Sequence, residues 1–168
     1  NRVMFDNMLD TAIKLAKLRD RRLALLYLDL DEFKNVNDSV GHDVGDELLK
    51  DVGRILSGLL VNAGEIAHLG EDEFGIILDK LDNIKDISNM IESILKVFHR
   101  PWIIGEAEFY ITASIGITMY PDDGKDKYAL LKNSDLAAYA AKESGKDCYR
   151  FFSPRMQEVM NRKTAMAI

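Results

Sequence analysis

Cysteine is nearly missing from this chain of 168 residues: Cys148 is the only one. An internal disulfide and a cysteine-built zinc site are therefore excluded, and the shortage fits a reducing compartment. A cytoplasmic location is expected, with any membrane anchor of a longer parent lying outside this segment. No apolar run approaches the roughly 20 residues of a membrane span, and the opening Asn1-Arg2 shows no signal peptide. No membrane contact by this segment is expected. Basic residues are the minority, 22 Lys and Arg against 28 Asp and Glu, a net charge of −6. That balance argues against nucleic acid, which wants an extended basic face, yet it allows a small phosphorylated ligand held through a metal. Apolar residues make up 47% of the chain and charged ones 30%, as in one globular domain with a full core. The abrupt start and the polar, helix-like end are those expected of a piece of a longer chain.

Two acidic clusters organise the rest. The first is Gly70-Glu71-Asp72-Glu73-Phe74, where an apolar run enters through Ile66, Ala67 and Leu69 and another leaves through Ile76, Ile77 and Leu78. This is the outline of a β-hairpin with three acids at its apex. Three adjacent carboxylates repel one another, and a nearby cation would offset that repulsion. The second cluster closes the wholly apolar run Leu23 to Leu28, read as a strand covered on both faces, with Asp29-Leu30-Asp31. Asp29 alone reads equally well as a helix cap at a strand-to-helix turn. If the hairpin strand lies beside this one, however, Asp29 and Asp72 converge, and two hard oxygen ligands plus a main-chain carbonyl suit Mg²⁺ bound together with phosphates.

Apolar positions at helical spacing predict an amphipathic helix from Arg2 to about Arg19, then, past the first strand, a short helix over Glu32 to Asp38 that Gly41 ends. A longer helix follows across Gly45 to Leu60. Asn37 and Asp46 flank the break between these two. Each reads as a capping residue, while together they offer a donor and an acceptor for an edge such as guanine's. A third helix is expected from Asp82 to His99, stopped by Pro101. Trp102-Ile103-Ile104 and a long return strand from Phe109 to Thr118 predict a second hairpin, and Asp126 to about Ser144 a fourth helix. Cys148 to Phe152 is expected as the last strand. Lys142 and Lys146, near the end of the fourth helix, are on this reading complements to its dipole. The order gives a βααββαβ core, an α/β (α+β) palm-like arrangement with a mainly antiparallel central sheet flanked by helices.

These blocks together resemble the GGDEF family, the diguanylate cyclases, over nearly the whole chain. The resemblance rests on Leu28-Asp29-Leu30-Asp31-Glu32-Phe33-Lys34-Asn35-Val36-Asn37-Asp38, Gly41-His42-Asp43-Val44-Gly45-Asp46, the hairpin Gly70 to Phe74, Ala113-Ser114-Ile115-Gly116-Ile117, and Ala140-Ala141-Lys142-Glu143-Ser144-Gly145-Lys146. It implies a palm similar to that of class III nucleotidyl cyclases, binding GTP with Mg²⁺ or, as a substitute, Mn²⁺. It further implies a homodimer in which each GTP 3′-hydroxyl attacks the α-phosphate of the other nucleotide, giving cyclic di-GMP and two pyrophosphates. By matching position, Asp29, Asp72 and the Leu30 carbonyl would hold the metal. Asp72 would also help deprotonate the hydroxyl, with Glu73 and Asp29 completing the catalytic acids. Asn37 and Asp46 would read guanine, Phe33, Lys34 and Gly70 would lie at the nucleotide, and Lys142 and Lys146 would contact the terminal phosphates.

The departures from that family carry expectations of their own. Glu71 stands where the signature has its second glycine, adding bulk and negative charge beside phosphates. Turnover is expected to suffer more than binding, because in-line attack tolerates little misplacement. His68 replaces the usual arginine before the motif, and Lys146 replaces another, keeping charge but losing bidentate geometry. Val61 and Gly64 occupy the places of the Arg-x-x-Asp of the family's inhibitory site, so product inhibition there is expected to be absent. The domain is expected over residues 1–152. The tail over 153–168, opening Ser153-Pro154-Arg155, resembles the helical linker to a C-terminal EAL phosphodiesterase domain. The expected function is thus a GTP-binding GGDEF domain, weak or silent in turnover, that regulates an adjoining phosphodiesterase; an active diguanylate cyclase is the alternative.

Overall fold

The structure is a computed structural model describing residues 1–81 and 83–167. Helix α1 (Arg2–Leu18) starts at Asn1, whose side chain accepts from the Met4 amide, and leads into β1 (Leu23–Leu30). Helices α2 (Phe33–Val40) and α3 (His42–Leu59) follow, then the hairpin β2 (Glu65–Gly70) and β3 (Glu73–Leu78). Helix α4 (Ile84–Val97) is capped by Asn83, and the small strands β4 (Trp102–Ile104) and β5 (Ala107–Phe109) come next. The long strand β6 (Ala113–Tyr120), α5 (Lys127–Glu143), β7 (Cys148–Phe151) and α6 (Pro154–Ala167) complete the chain. The expected order of elements is present. The expected start of the third helix, Asp82, lies outside the described residues.

The central sheet runs β2-β3-β1-β6-β7, antiparallel throughout except for the parallel pairing of β6 with β7. Alternation along β1 divides the core in two. Ala24, Leu26, Leu28 and Leu30 pack with α3 and α4, while Leu23, Leu25 and Tyr27 pack with α1 and α5 on the opposite face. This is why the strand reads as one unbroken apolar run: neither of its faces meets water. On the second face α5 lies directly on the backbone of β6. A Cβ at Gly116 would stand 2.1 Å from the Ser134 carbonyl oxygen and 2.2 Å from the Ala138 nitrogen, so only glycine admits the helix this close.

Two expectations need correction. The return strand predicted from Phe109 to Thr118 is broken at Tyr110-Ile111-Thr112: β5 pairs only with β4, while β6 joins the central sheet. The cause is Asp31, whose amide donates to the Thr112 carbonyl at 2.8 Å and whose carboxylate receives the Thr112 hydroxyl at 2.6 Å, fixing the chain where it changes sheet. The hairpin turn holds two acids rather than three. Glu73 is already in β3, paired opposite Asp29.

Candidate functional site

The last residues of β1 set the geometry. Asp29, on the face shared with α1 and α5, meets Lys142 from the last turn of α5, whose Nζ lies 2.5 Å from Asp29 Oδ2. The other carboxylate oxygen, Oδ1, is buried and has no hydrogen-bond partner among the described residues. Burial pushes the Asp29 carboxyl up from 3.8 to about 6; Lys142 opposes the rise, and the like charge of Asp72 adds to it. Asp72 sits in the hairpin turn, and its carbonyl receives the Leu30 amide at 2.9 Å, which ties the turn to the end of β1. The sequence-predicted meeting of Asp29 and Asp72 is therefore present.

Asp31 plays a different part. It is 5% exposed and accepts from Thr112 and Ser114 hydroxyls, each at 2.6 Å, and from the Asp147 amide at 3.0 Å. Three accepted hydrogen bonds let it hold three segments together, its own corner, residues 112–114 and Asp147, and it anchors the turn into α2. At that turn Glu32, the N-cap of α2, adopts a left-handed φ of 57° and its side chain makes no capping hydrogen bond among the described residues. The uncapped N-terminus at Phe33 and Lys34 is the kind of place where phosphate oxygens are received.

From there a cavity of about 520 Å³ extends past Phe33, Lys34, Asn37, Asp46, Glu71 and Asp72. Asn37 Oδ1 is buried without a hydrogen-bond partner among the described residues, packed against Gly45. Other grooves have similar volumes, such as one of about 450 Å³ between α3 and β2, so size does not single this cavity out; its charged and unpaired groups do. Glu71 lines it in a strained left-handed conformation, φ 42°, its carbonyl receiving His68 Nε2 at 2.7 Å. Glu73 turns elsewhere, its carboxylate 3.4 Å from Arg2. Lys146 lies 3.3 Å from Glu32, and both are exposed. Asp31, Thr112 and Ser114 are the supporting residues that sequence reasoning missed. The only local signal was the second acid of Asp29-Leu30-Asp31, since its partners stand 81 and 83 residues away.

Among the described residues no group of three or more His, Cys, Asp or Glu side chains is placed to hold a metal ion. The two carboxylates of Asp29 and Asp72 are hard oxygen donors of the kind that would hold Mg²⁺ as a partial site, since that ion keeps water and phosphate oxygens in its remaining positions. The Asp29 Oδ1 without a partner among the described residues and the neighbouring Asp72 charge both mark a place where a cation would be received.

A mostly antiparallel sheet flanked by helices, with two acids at adjoining strand ends, is the palm of the nucleotide cyclases. Comparison narrows this. The family model described as diguanylate cyclase, GGDEF domain, matches residues 1–148, and the chain belongs to that family, as a GGDEF domain of cyclic di-GMP signalling. The chain is 40% identical over 156 residues to the bifunctional diguanylate cyclase/cyclic di-GMP phosphodiesterase MucR of Pseudomonas aeruginosa, covering 93% of this chain and 23% of that protein. It is 35% identical over 158 residues to the cyclic di-GMP phosphodiesterase PdeR of Escherichia coli, covering 94% and 23% respectively. The chain thus spans less than a quarter of these relatives. Among solved structures, the GGDEF domain of TpbB from P. aeruginosa superposes with a TM-score of 0.87 at 30% identity, covering 91% of this chain and 96% of that one. The active GGEEF domain of a Vibrio cholerae diguanylate cyclase gives 0.80 at 25% identity, covering 91% and 97%.

Proposed function

We propose that this domain binds GTP with Mg²⁺ in the cavity between α2, α3 and the β2–β3 turn, that Glu71 lowers or abolishes its cyclase turnover, and that it reports occupancy to an adjoining phosphodiesterase domain. The observation that carries the reading is the buried, unpaired Asp29 Oδ1 beside Asp72, a concentration of negative charge that the protein itself balances only in part. In this reading Asn37 and Asp46 hold the guanine, and the open N-terminus of α2 receives phosphate oxygens. Lys142 and Lys146 neutralise the outer phosphates, while Asp72 takes the proton of the attacking hydroxyl. A bound Mg²⁺ would supply charge stabilisation on the phosphates and acidify that hydroxyl. Turnover needs two such domains facing each other, and Glu71, projecting from the turn, disturbs that alignment more than it disturbs binding. In this reading the tail would lead toward the regulated domain, with α6 packed on α5 through Lys163, which lies 3.5 Å from Glu143. Gly64, where a Cβ would stand 1.8 Å from the Ile77 carbonyl oxygen, admits no acid of an inhibitory site.

An active cyclase is the second reading, favoured by the convergence of Asp29, Asp72 and Lys142. Calorimetry with GTP and Mg²⁺, run beside a cyclic di-GMP assay on the wild type and Glu71→Gly, separates the two. Binding without product in the wild type, with product in the variant, supports the regulatory module. Equal and substantial product from both supports the cyclase, and an absence of GTP binding removes both readings.

A further inference from the structure

The cation nearest Asp29 is the protein's own. Lys142 Nζ lies 2.5 Å from Asp29 Oδ2, a short charge-assisted contact, on the same carboxylate whose other oxygen is unpaired. The helix end carrying it is pinned: the Ser144 amide donates to the Ala140 and Ala141 carbonyls, the Ser144 hydroxyl to Ala140, and the Cys148 thiol to Ala141. The Lys142 backbone is therefore held while its flexible four-carbon stem, 35% exposed, has an open side into which to swing. The neighbouring cation is parked in the same manner, Lys146 resting 3.3 Å from Glu32 beside the uncapped start of α2. A divalent ion taken up by Asp29 would lie close to the ammonium on Oδ2, and the two cations would repel, each weakening the other's hold on the carboxylate.

Resting on the nucleotide-site reading above, we propose that Lys142 is a resident counter-ion: its ammonium holds the metal's place at Asp29, and a divalent ion enters only together with a polyphosphate that draws the ammonium away. Lys142 then has two successive partners, Asp29 in the empty domain and phosphate in the loaded one. Free metal binds poorly, and nucleotide and metal load as one unit. A residue that served only as a phosphate contact would leave affinity for the bare ion untouched.

The test is direct titration of the whole chain with Mn²⁺ at pH 8, followed by the electron paramagnetic resonance signal of the free ion, for the wild type, Lys142→Met and Lys142→Gln. Without nucleotide, both variants bind Mn²⁺ at least about tenfold more tightly than the wild type, the consequence of losing one competing ion pair. Asp29→Asn added to Lys142→Met abolishes that gain. With GTP present the order inverts, the variants holding the metal–nucleotide pair more weakly. Bare Mn²⁺ affinity no higher in either folded variant, as judged by circular dichroism, overturns the proposal even if the wild type binds GTP. A gain in bare-metal affinity in a protein that does not bind GTP would keep the counter-ion role and remove the nucleotide reading instead.

Discussion

Replacing Asp29 by Asn isolates the cost of the central acid. Its carboxyl is held at about 6 against an ordinary 3.8, chiefly by burial. The folded chain thus keeps its proton to a higher pH than the unfolded chain does, so wild-type stability falls as pH climbs from about 3.8 through about 6 and stays reduced above. At about 1.4 kcal/mol per pH unit the penalty is about 3 kcal/mol, or about 2 kcal/mol once solvent screening at its exposed edge is allowed for. The compensating contact with Lys142 is already contained in that figure. Asp29→Asn should therefore be more stable than the wild type at pH 8 by about 2 kcal/mol. At pH 4, where both side chains are neutral, the two proteins should be nearly equal. Urea denaturation in the presence of a chelator, at the two pH values, measures both numbers. Asp123 and Asp135 are also pushed up by burial, but they are common to both proteins and cancel in the difference. Adding GTP and Mg²⁺ at pH 8 should narrow or reverse the gap, since only the wild type can use the charge. A variant less stable than the wild type at pH 8, or one whose gain is the same at pH 4, would refute the reasoning.

Glu71→Gly relieves a left-handed φ of 42° but loosens the unfolded chain, so its stability should stay within about 1 kcal/mol of the wild type. In the same variant cyclic di-GMP formation should rise sharply while GTP affinity stays within about tenfold. Asp31→Ala strands two hydroxyls and the Asp147 amide, and a loss of about 3 kcal/mol or more in urea denaturation is expected. Gly116→Ala drives a methyl into the backbone of α5 and should cost about 2–3 kcal/mol. It should also weaken GTP binding, because Lys142 moves with that helix. Asn37→Ala removes a buried, unpaired acceptor from the cavity wall, so calorimetry should show GTP binding about tenfold weaker, with ATP binding unchanged.

What the sequence made legible was the material with a local period or a local boundary. Leu23 to Leu28 announces a strand covered on both sides, the spacing along α3 and α4 announces their inner faces, and acids at a strand end and a hairpin turn announce a meeting point. Contacts made across the chain leave no such trace. Nothing near Asp31 in sequence tells that it binds Thr112, Ser114 and Asp147, so the break after β5 was read as one continuous strand. Glu73 looked like part of an acidic apex because adjacency in sequence hides register: placed opposite Asp29 in β3, it has its carboxylate beside Arg2. Family likeness suggests phosphate contacts for Lys142 and Lys146, but not the acids on which they rest.

Asp31 also ties the carboxyl-terminal elements to the β1–α2 corner. The carboxylate that fastens the β1–α2 corner holds the amide of Asp147, one residue ahead of β7, and α6 begins three residues after that strand ends. Tension on the carboxyl-terminal helix would thus be delivered, through one short strand and one acid, to the corner from which the α2 amides and Asp29 are hung.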